Sequence, residues 1–331
     1  MTVFQKTSSP LLDIEDLGLS IESKGEKLRV LNSISLSVYE GQAVGLVGES
    51  GSGKSMLLRT VIGLLPKKAH IDSGSIIFNG EELVDNPKIM AKIRGAGISM
   101  VFQEPAVALN PIMKVGTQIT DGLQQHMGLS RKTARVRAIE LMEQVGIVEA
   151  ERRVDSYPFE LSGGMRQRVM IASAIACKPK LILCDEPTTA LDVTVQRQII
   201  DLFNSLRREM GVSLLYVTHD MAVVANLCDH VTVMYSGSVM EQGTVSEVFS
   251  KPMHPYTKAM LKSTPLIDGP LQRLSSIPGT APSLSERPKG CPFAPRCQFA
   301  TDSCSQDIPV LHVTSSGRKI ACVNLPKEAK A

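Results

Sequence analysis

The stretch AVGLVGESGSGKSMLLRTVIGLL, residues 43–65, decides the fold of this chain. An apolar run, a glycine-rich loop and a second apolar run follow one another, which predicts a strand, a loop and a helix. The loop of residues 48–55 matches the phosphate-binding pattern G-x-x-x-x-G-K-[ST] at every position. Met56 stands where a dinucleotide-binding fingerprint would need its third glycine, so that alternative is excluded.

Each residue type in this loop has a chemical reason. Glycines allow backbone N–H groups to curl around phosphate oxygens. Lys54 would reach the β- and γ-phosphates, and the Ser55 hydroxyl would coordinate Mg²⁺. We therefore expect a nucleoside triphosphate with Mg²⁺, bound by Gly48, Glu49, Ser50, Gly51, Ser52, Gly53, Lys54 and Ser55.

Polar side chains follow three other apolar strands. In LILCDEP, Asp185 would hold Mg²⁺ through water, while Glu186 points the other way and can polarise the attacking water. His219 follows LLYVT, and Gln103 follows MVF. Sites of α/β proteins are built at the carboxyl ends of strands, which favours a γ-phosphate contact for His219. The alternatives are a solvated carboxylate pair and a structural histidine.

The chain carries a second feature suited to an anion, LSGGMRQRV at residues 161–169. Ser162, Gly163 and Gly164 would expose backbone N–H groups at the positive end of a helix. Taken alone, the stretch predicts only a capped basic helix. A single phosphate pocket has no need of both features.

Apolar strands separated by a helix indicate an α/β fold. KLILCDE and VSLLYVTHD flank the helical pattern VTVQRQIIDLFNSLRREMG, which is typical of a parallel sheet covered on both faces. SGSIIFNGEEL predicts a strand that turns at Asn79 and Gly80, and SRKTARVRAIELMEQVG predicts a helix capped by Ser130. From residue 264 the chain is rich in Pro, Ser and Gly, which predicts a linker or a wrapping segment.

Composition limits the class of protein. The chain has 331 residues, 43% of them hydrophobic, and a net charge of +3, which gives no argument for nucleic-acid binding. The first residues lack the apolar core of a signal peptide, and no apolar run approaches the ~20 residues that span a bilayer. We therefore expect a cytosolic protein with reduced thiols.

Four of the seven cysteines crowd the end of the chain with the spacing C-x₅-C-x₆-C-x₁₇-C. In a cytosolic protein we expect them to bind one metal centre rather than form disulfides. Four thiolates suit zinc or a 4Fe–4S cluster, although the tight C-x₂₋₄-C pairs of structural zinc sites are absent. Free surface thiols, open to oxidation, are the alternative. The four residues are Cys291, Cys297, Cys304 and Cys322.

Together, and in this order, the motifs resemble those of the ATP-binding cassette (ABC) ATPases over roughly residues 11–260. The resemblance implies that ATP is the nucleotide and that Glu186, His219 and Gln103 are catalytic. It also implies Mg²⁺ ligation by Ser55, Gln103 and Asp185. The corresponding family motifs are the Walker A loop GESGSGKS, the Q-loop Gln103, the signature LSGGM, the Walker B strand LILCDE, the D-loop ALD ending at Asp192, and the switch histidine His219.

The resemblance also implies an architecture and explains the second anion-binding feature. Residues 1–263 would form a P-loop cassette with a parallel sheet core, an antiparallel β subdomain and a helical subdomain at about 104–175. Residues 264–331 would form a Cys-rich extension. In this family two cassettes pack head to tail, so that Ser162, Gly163 and Gly164 would cap the γ-phosphate held by the partner.

The end of the chain narrows the family. HPYTKAML, residues 254–261, and the cysteine tail resemble the ATPases of dipeptide and oligopeptide importers. This implies ATP hydrolysis at the cytoplasmic face of the cell membrane, coupled to import. It also implies a second homologous ATPase, two permeases, an extracytoplasmic binding protein and a 4Fe–4S cluster at the four cysteines, without identifying the solute or involving nucleic acid.

Two other functions and one departure from the family stay open at this point. A soluble ABC-type ATPase of DNA repair or translation is disfavoured by the single cassette. A non-hydrolysing regulatory cassette is disfavoured by the intact Glu186 and His219. The family places an adenine-stacking aromatic residue upstream of the Walker A loop, but there is none between Ile21 and Val38. Arg29 or an aliphatic neighbour would have to contact the base.

Overall fold

The computed structural model describes residues 9–189, 191–263 and 276–324. Ala190 of the expected D-loop, much of the Pro-rich segment (264–275) and residues 325–331 lie outside the described residues. The strands along the described chain are β1 (Leu12–Ser23), β2 (Glu26–Val38), β3 (Ala43–Val47), β4 (Ala69–Phe78), β5 (Glu81–Glu82), β6 (Ile98–Val101), β7 (Leu181–Asp185), β8 (Ser213–Thr218), β9 (His230–Tyr235), β10 (Ser238–Thr244), β11 (His312–Val313) and β12 (Lys319–Ile320). The α-helices are α1 (Lys54–Val61), α2 (Pro87–Ile93), α3 (Pro105–Ala108), α4 (Val115–Met127), α5 (Arg131–Gln144), α6 (Ala150–Arg153), α7 (Gly163–Ile175), α8 (Val193–Met210), α9 (Met221–Leu227), α10 (Val245–Ser250) and α11 (Pro255–Lys262).

The chain divides into two compact units. The first unit comprises Met1–Tyr39, Ala43–Asp85 and Val217–Ala331, and the second comprises Glu40–Gln42 and Asn86–Tyr216. The described part of the cysteine tail therefore belongs to the same unit as the glycine-rich loop.

An antiparallel sheet in the first unit has the strand order β2-β1-β4-β5. Its β4–β5 hairpin turns at Asn79 and Gly80, whose φ angles are 51° and 82°. Two consecutive residues with positive φ are what a tight two-residue hairpin turn requires, and Asn-Gly provides them at low cost. The turn predicted from the sequence is confirmed.

The remaining strands of the first unit pair around β3. All five residues of β3 are buried, and the strand pairs in parallel with β9. β9 pairs with β10 in antiparallel fashion, β10 pairs with β12, and β12 pairs with β11. The tail thus adds a short hairpin beside a strand of the cassette rather than forming a separate globule.

The glycine-rich loop links β3 to α1, and two of its glycines are required by the backbone. Gly48 has φ 155°, and a Cβ there would lie 2.1 Å from the carbonyl oxygen of Met234 in β9. Gly53 precedes α1 in the left-handed conformation, with φ 97°. Only glycine takes such conformations without strain. The strand, loop and helix predicted from residues 43–65 are confirmed.

In the second unit, β6 and β7 pair in parallel, with Val101 opposite Cys184. Polar side chains cap the helices that the sequence predicted. Ser130 accepts a hydrogen bond from the N–H of Thr133 at the start of α5, and Asp192 does the same for Val195 in α8. Such caps satisfy backbone donors that have no partner within the helix.

A buried ion pair attaches the tail to β10. Glu241 is fully buried, and the side chain of Arg318 is 6% exposed and contacts it. The Glu241 carboxylate also accepts hydrogen bonds from the N–H groups of Met253 and His254, both at 3.0 Å. Burial lowers the pKa of His254 to about 3, so the ring is neutral; it hydrogen-bonds the backbone of Ala321.

We expect Arg318→Met to lower the free energy of unfolding by about 3–5 kcal/mol, because it leaves a buried carboxylate without its cation. The double variant Glu241→Gln/Arg318→Met should lose less unfolding free energy than Arg318→Met. It leaves no buried charge unpaired, and the neutral amide still accepts the two backbone hydrogen bonds. Chemical denaturation followed by circular dichroism measures both. Arg137→Met breaks an exposed pair with Glu140 and should cost less than about 1 kcal/mol. An Arg318→Met loss no larger than that of the control would contradict this account.

Candidate functional site

Lys54 is held inside the glycine-rich loop. Its ammonium group donates to the carbonyl oxygens of Gly48 and Glu49, at 2.7 and 2.9 Å, and to the Ser52 hydroxyl at 3.2 Å. Lys54 is 5% exposed and Ser52 is 2% exposed. These contacts orient the cation, and the adjoining helix α1 places its positive N-terminal end at the same loop. Both features suit the loop to an anion.

Residues far along the chain fix the outer side of this loop. The N–H of Glu49 donates to the hydroxyl of Tyr256 in α11, at 2.9 Å, and the Glu49 carboxylate accepts from Arg296, at 2.7 Å. The N–H of Gly237 donates to the Ser52 carbonyl oxygen at 3.0 Å. From the sequence, Arg296 was expected only to offset negative charge beside the cysteines, and neither Tyr256 nor Arg296 was expected to contact this loop. The only signal was the occurrence of Tyr256 in the HPY motif, whose purpose the pattern did not reveal.

The first unit also holds His219 and Arg29. His219 follows β8 directly, as predicted, and is exposed. The next residue, Asp220, caps α9 by accepting from the N–H of Ala222 at 2.8 Å. Arg29 lies on β2 opposite Ser20 of β1.

The second unit brings Gln103, Asp185 and Glu186 to one edge. Gln103 follows β6 by one residue and is exposed, whereas Asp185 ends the neighbouring strand β7 and is 3% exposed. Because β6 and β7 run in parallel, their carboxyl ends meet at the same edge. The side-chain oxygens there include a buried carboxylate and an amide, the hard oxygen ligands that Mg²⁺ prefers.

Glu186 has an unusual backbone conformation. Its φ is 43°, in the left-handed region that residues with a side chain rarely adopt. The Thr189 hydroxyl donates to its carboxylate at 2.9 Å. The backbone and this hydrogen bond together set the direction of the carboxylate, and strained conformations of this kind cluster at functional sites.

The signature stretch starts helix α7 at an exposed position. Ser162 caps the helix by accepting from the N–H of Met165 at 3.3 Å, and Ser162 and Gly163 are exposed. A Cβ on Gly164 would lie 3.1 Å from Val195, in the first turn of α8. The start of α7 therefore packs beside the start of α8, which Asp192 caps. The predicted anion-binding residues and Asp192 lie in one neighbourhood of the second unit.

The four tail cysteines line a single cavity of ≈ 260 Å³. Cys291 and Cys304 are also joined through the backbone, since the Cys291 N–H donates to the Cys304 carbonyl oxygen at 2.8 Å. All seven cysteines are free thiols. Within residues 9–189, 191–263 and 276–324, no group of three or more His, Cys, Asp or Glu side chains is arranged to hold a metal ion.

Burial disfavours the thiolate form of three of the four tail cysteines. Burial raises the pKa of Cys291 to about 11, and the neighbouring thiols add to the shift. Burial also raises the pKa values of Cys297 and Cys322. Any group that binds these cysteines as thiolates would have to bring positive charge, which favours the deprotonated form.

Comparison with known proteins identifies the family. Residues 31–189 match the ABC transporter family, and residues 240–304 match the C-terminal region of oligopeptide/dipeptide transporters. The oligopeptide transport ATP-binding protein OppD of Haemophilus influenzae is 45% identical over 315 residues, which cover 95% of this chain and 97% of that protein. The chain belongs to the ABC transporter ATP-binding proteins.

Further relatives agree with this ABC ATPase family. A putative peptide import ATP-binding protein of Brucella abortus is 44% identical over 95% of the chain and 97% of its own length. The ATP-binding cassette MJ0796, solved as a dimer in a post-hydrolysis state with ADP and Pi, superposes with a TM-score of 0.64 at 28% identity. The superposition covers 71% of this chain and 98% of the MJ0796 chain. The cbiO1 protein of Clostridium perfringens, part of the ABC transporter complex cbiONQ, superposes with a TM-score of 0.63 at 30% identity. That superposition covers 74% of this chain and 92% of the cbiO1 chain.

The expected ABC cassette fold, with mixed sheets and helices, is therefore confirmed, and so is the expected ATPase class. No helix in the described part of this ABC ATPase combines the length and apolar character needed to cross a membrane.

Proposed function

We propose that this ABC ATPase hydrolyses ATP to power the import of oligopeptides, dipeptides or related small solutes through partner permeases. The observation that carries the proposal is the match of residues 240–304 to the C-terminal region of oligopeptide/dipeptide transporters, on the same chain as the ABC transporter match at residues 31–189. The relatives named as peptide-import ATP-binding proteins extend over 95% of the chain.

Residues 1–263 are assigned to the cassette, with its helical subdomain at about 104–175, and residues 264–331 to the extension. The proposed partners are a second homologous ATPase, two permeases and an extracytoplasmic binding protein. By binding the permeases, the chain would lie peripherally at the cytoplasmic face of the membrane. The dimeric MJ0796 cassette and the membership of cbiO1 in a transporter complex support this assembly.

Uptake of labelled peptides by intact cells tests the transport function. Deleting the gene should abolish growth on a peptide that supplies a required amino acid and leave growth on the free amino acid unchanged. The intact gene should restore uptake and Lys54→Ala should not. Normal uptake of di-, tri- and longer peptides in the deletion strain would reject peptides as the substrate class.

The residues of the chain divide the work of hydrolysis. Residues 48–55 cradle the phosphates, and Ser55, Gln103 and Asp185 supply the oxygen ligands for Mg²⁺, which would neutralise phosphate charge. Glu186 orients and polarises the attacking water, and His219 contacts the γ-phosphate. Ser162, Gly163 and Gly164, with Asp192 beside them, cap the nucleotide bound by the partner cassette.

Glu186→Gln should keep nucleotide binding and reduce kcat by about 10²–10³-fold, or a few kcal/mol of barrier. The amide preserves shape and can still accept from Thr189, but it polarises water far less. Single-turnover hydrolysis in the assembled transporter separates this site from the partner's. Asp201→Asn, on the exposed face of α8, is the control and should turn over normally. Near-normal hydrolysis by Glu186→Gln would reject the assigned role.

Ser162→Arg should impair hydrolysis on the partner's Walker A loop while the Lys54 site of the variant chain still binds nucleotide. The added cation would occupy the space assigned to the partner's γ-phosphate. Binding to the isolated variant chain is compared with that of Lys54→Ala. If both variants lost binding equally, the head-to-tail arrangement would be wrong.

The four tail cysteines are proposed to ligate a 4Fe–4S cluster, with zinc as the alternative. The proposal is supported by the convergence of all four thiols on one cavity, with Lys258 also in its wall to offset negative charge. Four thiolates would suit either metal centre, and the cysteine spacing lacks the tight C-x₂₋₄-C pairs of structural zinc sites, which favours the cluster. Its contribution would be structural, because ATP hydrolysis transfers no electron.

Protein purified without oxygen should be brown and contain about four irons per chain. Cys297→Ser should bleach it and make the tail sensitive to protease. Cys177→Ser, outside the tail, should change neither property. Colourless protein with one zinc per chain would replace the cluster by zinc, and protein without metal would remove the site altogether.

A further inference from the structure

Arg296 directly precedes Cys297, which lines the cysteine cavity, and contacts Glu49 of the phosphate loop with a side chain that is 7% exposed. Its guanidinium donates to the carbonyl oxygens of Pro278 and Ile277, at 2.8 and 3.3 Å, which fix its plane. One of its nitrogens then donates to the Glu49 carboxylate at 2.7 Å and to the Tyr235 hydroxyl at 3.0 Å. A guanidinium held by backbone oxygens is already oriented before it meets the carboxylate.

Tyr256 holds the same loop residue through its backbone. This fully buried side chain accepts the N–H of Glu49 at 2.9 Å. Its ring packs against Tyr235 and Phe293, with centroids 4.7 and 5.2 Å away. Phe293 belongs to the tail, so the aromatic cluster that positions the hydroxyl is completed by the extension.

Fixing Glu49 fixes the part of the loop that faces the phosphates. The Glu49 carbonyl oxygen accepts from the Lys54 ammonium at 2.9 Å and from the Ser52 N–H at 3.2 Å. With its N–H directed to Tyr256 and its carboxylate to Arg296, the Glu49 peptide has little freedom. The carboxylate would otherwise be a negative charge beside a polyanion, and Arg296 compensates it.

We infer that Arg296 of the C-terminal extension, and Tyr256 of α11 packed against Phe293 of the extension, are positioning residues for ATP that hold Glu49 and set the nucleotide affinity of the phosphate loop. This inference rests on the proposed role of residues 48–55 in binding the phosphates. It gives the extension a part in the ATPase cycle that does not depend on which metal the cysteines bind.

Binding of a fluorescent ATP analogue to the full chain, with Mg²⁺, tests the inference. Arg296→Ala should raise the Kd about tenfold, equivalent to about 1.4 kcal/mol. In the assembled transporter the KM for ATP should rise while kcat stays near that of the wild type, because uniform binding is lost. Lys289→Ala removes an exposed cation from the same segment and should leave both values unchanged.

A double-mutant cycle separates positioning from general loosening of the tail. Glu49→Gln alone should change the Kd less than Arg296→Ala, and Glu49→Gln/Arg296→Ala should return toward the Glu49→Gln value, because no carboxylate is left uncompensated. Arg296→Lys should recover part of the affinity. An Arg296→Ala loss of equal size in the wild-type chain and in the Glu49→Gln variant would overturn the inference, since the arginine would then act independently of Glu49.

Tyr256→Phe keeps the ring and the fold and removes only the hydroxyl that accepts from Glu49. Its Kd should rise severalfold with an unchanged melting temperature. Wild-type affinity in both Tyr256→Phe and Arg296→Ala would overturn the inference. Lys54→Ala tests the site itself: if it binds the analogue normally, the proposed phosphate site fails. If Lys54→Ala loses binding while the other two variants bind normally, only the positioning role fails.

Discussion

The first unit depends on the absence of a side chain at Gly48. A Cβ at this position would lie 2.1 Å from the carbonyl oxygen of Met234. The loop can therefore leave β3 pressed against the backbone of β9, its parallel neighbour. β9 and β10 in turn carry Tyr235 and Glu241, on which the tail is anchored. One close backbone approach thus fixes both the loop of residues 48–55 and the strands that receive the end of the chain.

The anchors of the tail are charged, which calls for a physical explanation. Glu49–Arg296 and Glu241–Arg318 each join a carboxylate of the cassette to an arginine of the extension, and both arginine side chains are nearly buried. Buried ion pairs add little net stability compared with apolar contacts of the same volume. Their value lies in geometry, because a planar guanidinium satisfied by backbone oxygens fits in one orientation only. We interpret the pairs as fixing where the extension docks rather than how strongly it holds.

Local features of the fold could be predicted from the sequence. The β3–α1 link, the turn at Asn79 and the caps Ser130 and Ser162 each depend on a few neighbouring residues and their periodicity. The contact of Arg296 with Glu49 joins positions 247 residues apart, and the sequence carries no periodic sign of it. The same holds for Glu241 and Arg318.

The candidate site was predictable to a similar extent. Motif spacing identified the loop of residues 48–55, Asp185 and Glu186, since each motif is contiguous. The left-handed backbone of Glu186 was not predictable, because φ there is set by the surrounding fold and not by the residue type. The number and spacing of the four tail cysteines alone predicted that they act together, and all four line one cavity. How the thiols face one another depends on packing with Phe293 and His254, which spacing does not encode.

The hairpin of β11 and β12 has a consequence for solubility. A strand at the edge of a sheet offers unpaired N–H and C=O groups to other chains. β10 has seven residues, and the hairpin covers part of it by pairing Ile320 with Glu241. The strand that then faces outward, β11, has only two residues, too few to template a further strand. By covering this edge, the extension opposes edge-to-edge aggregation through β10. A cassette shortened before the hairpin would expose a longer edge of β10 to other copies, and would uncover the Glu241 carboxylate that Arg318 now contacts.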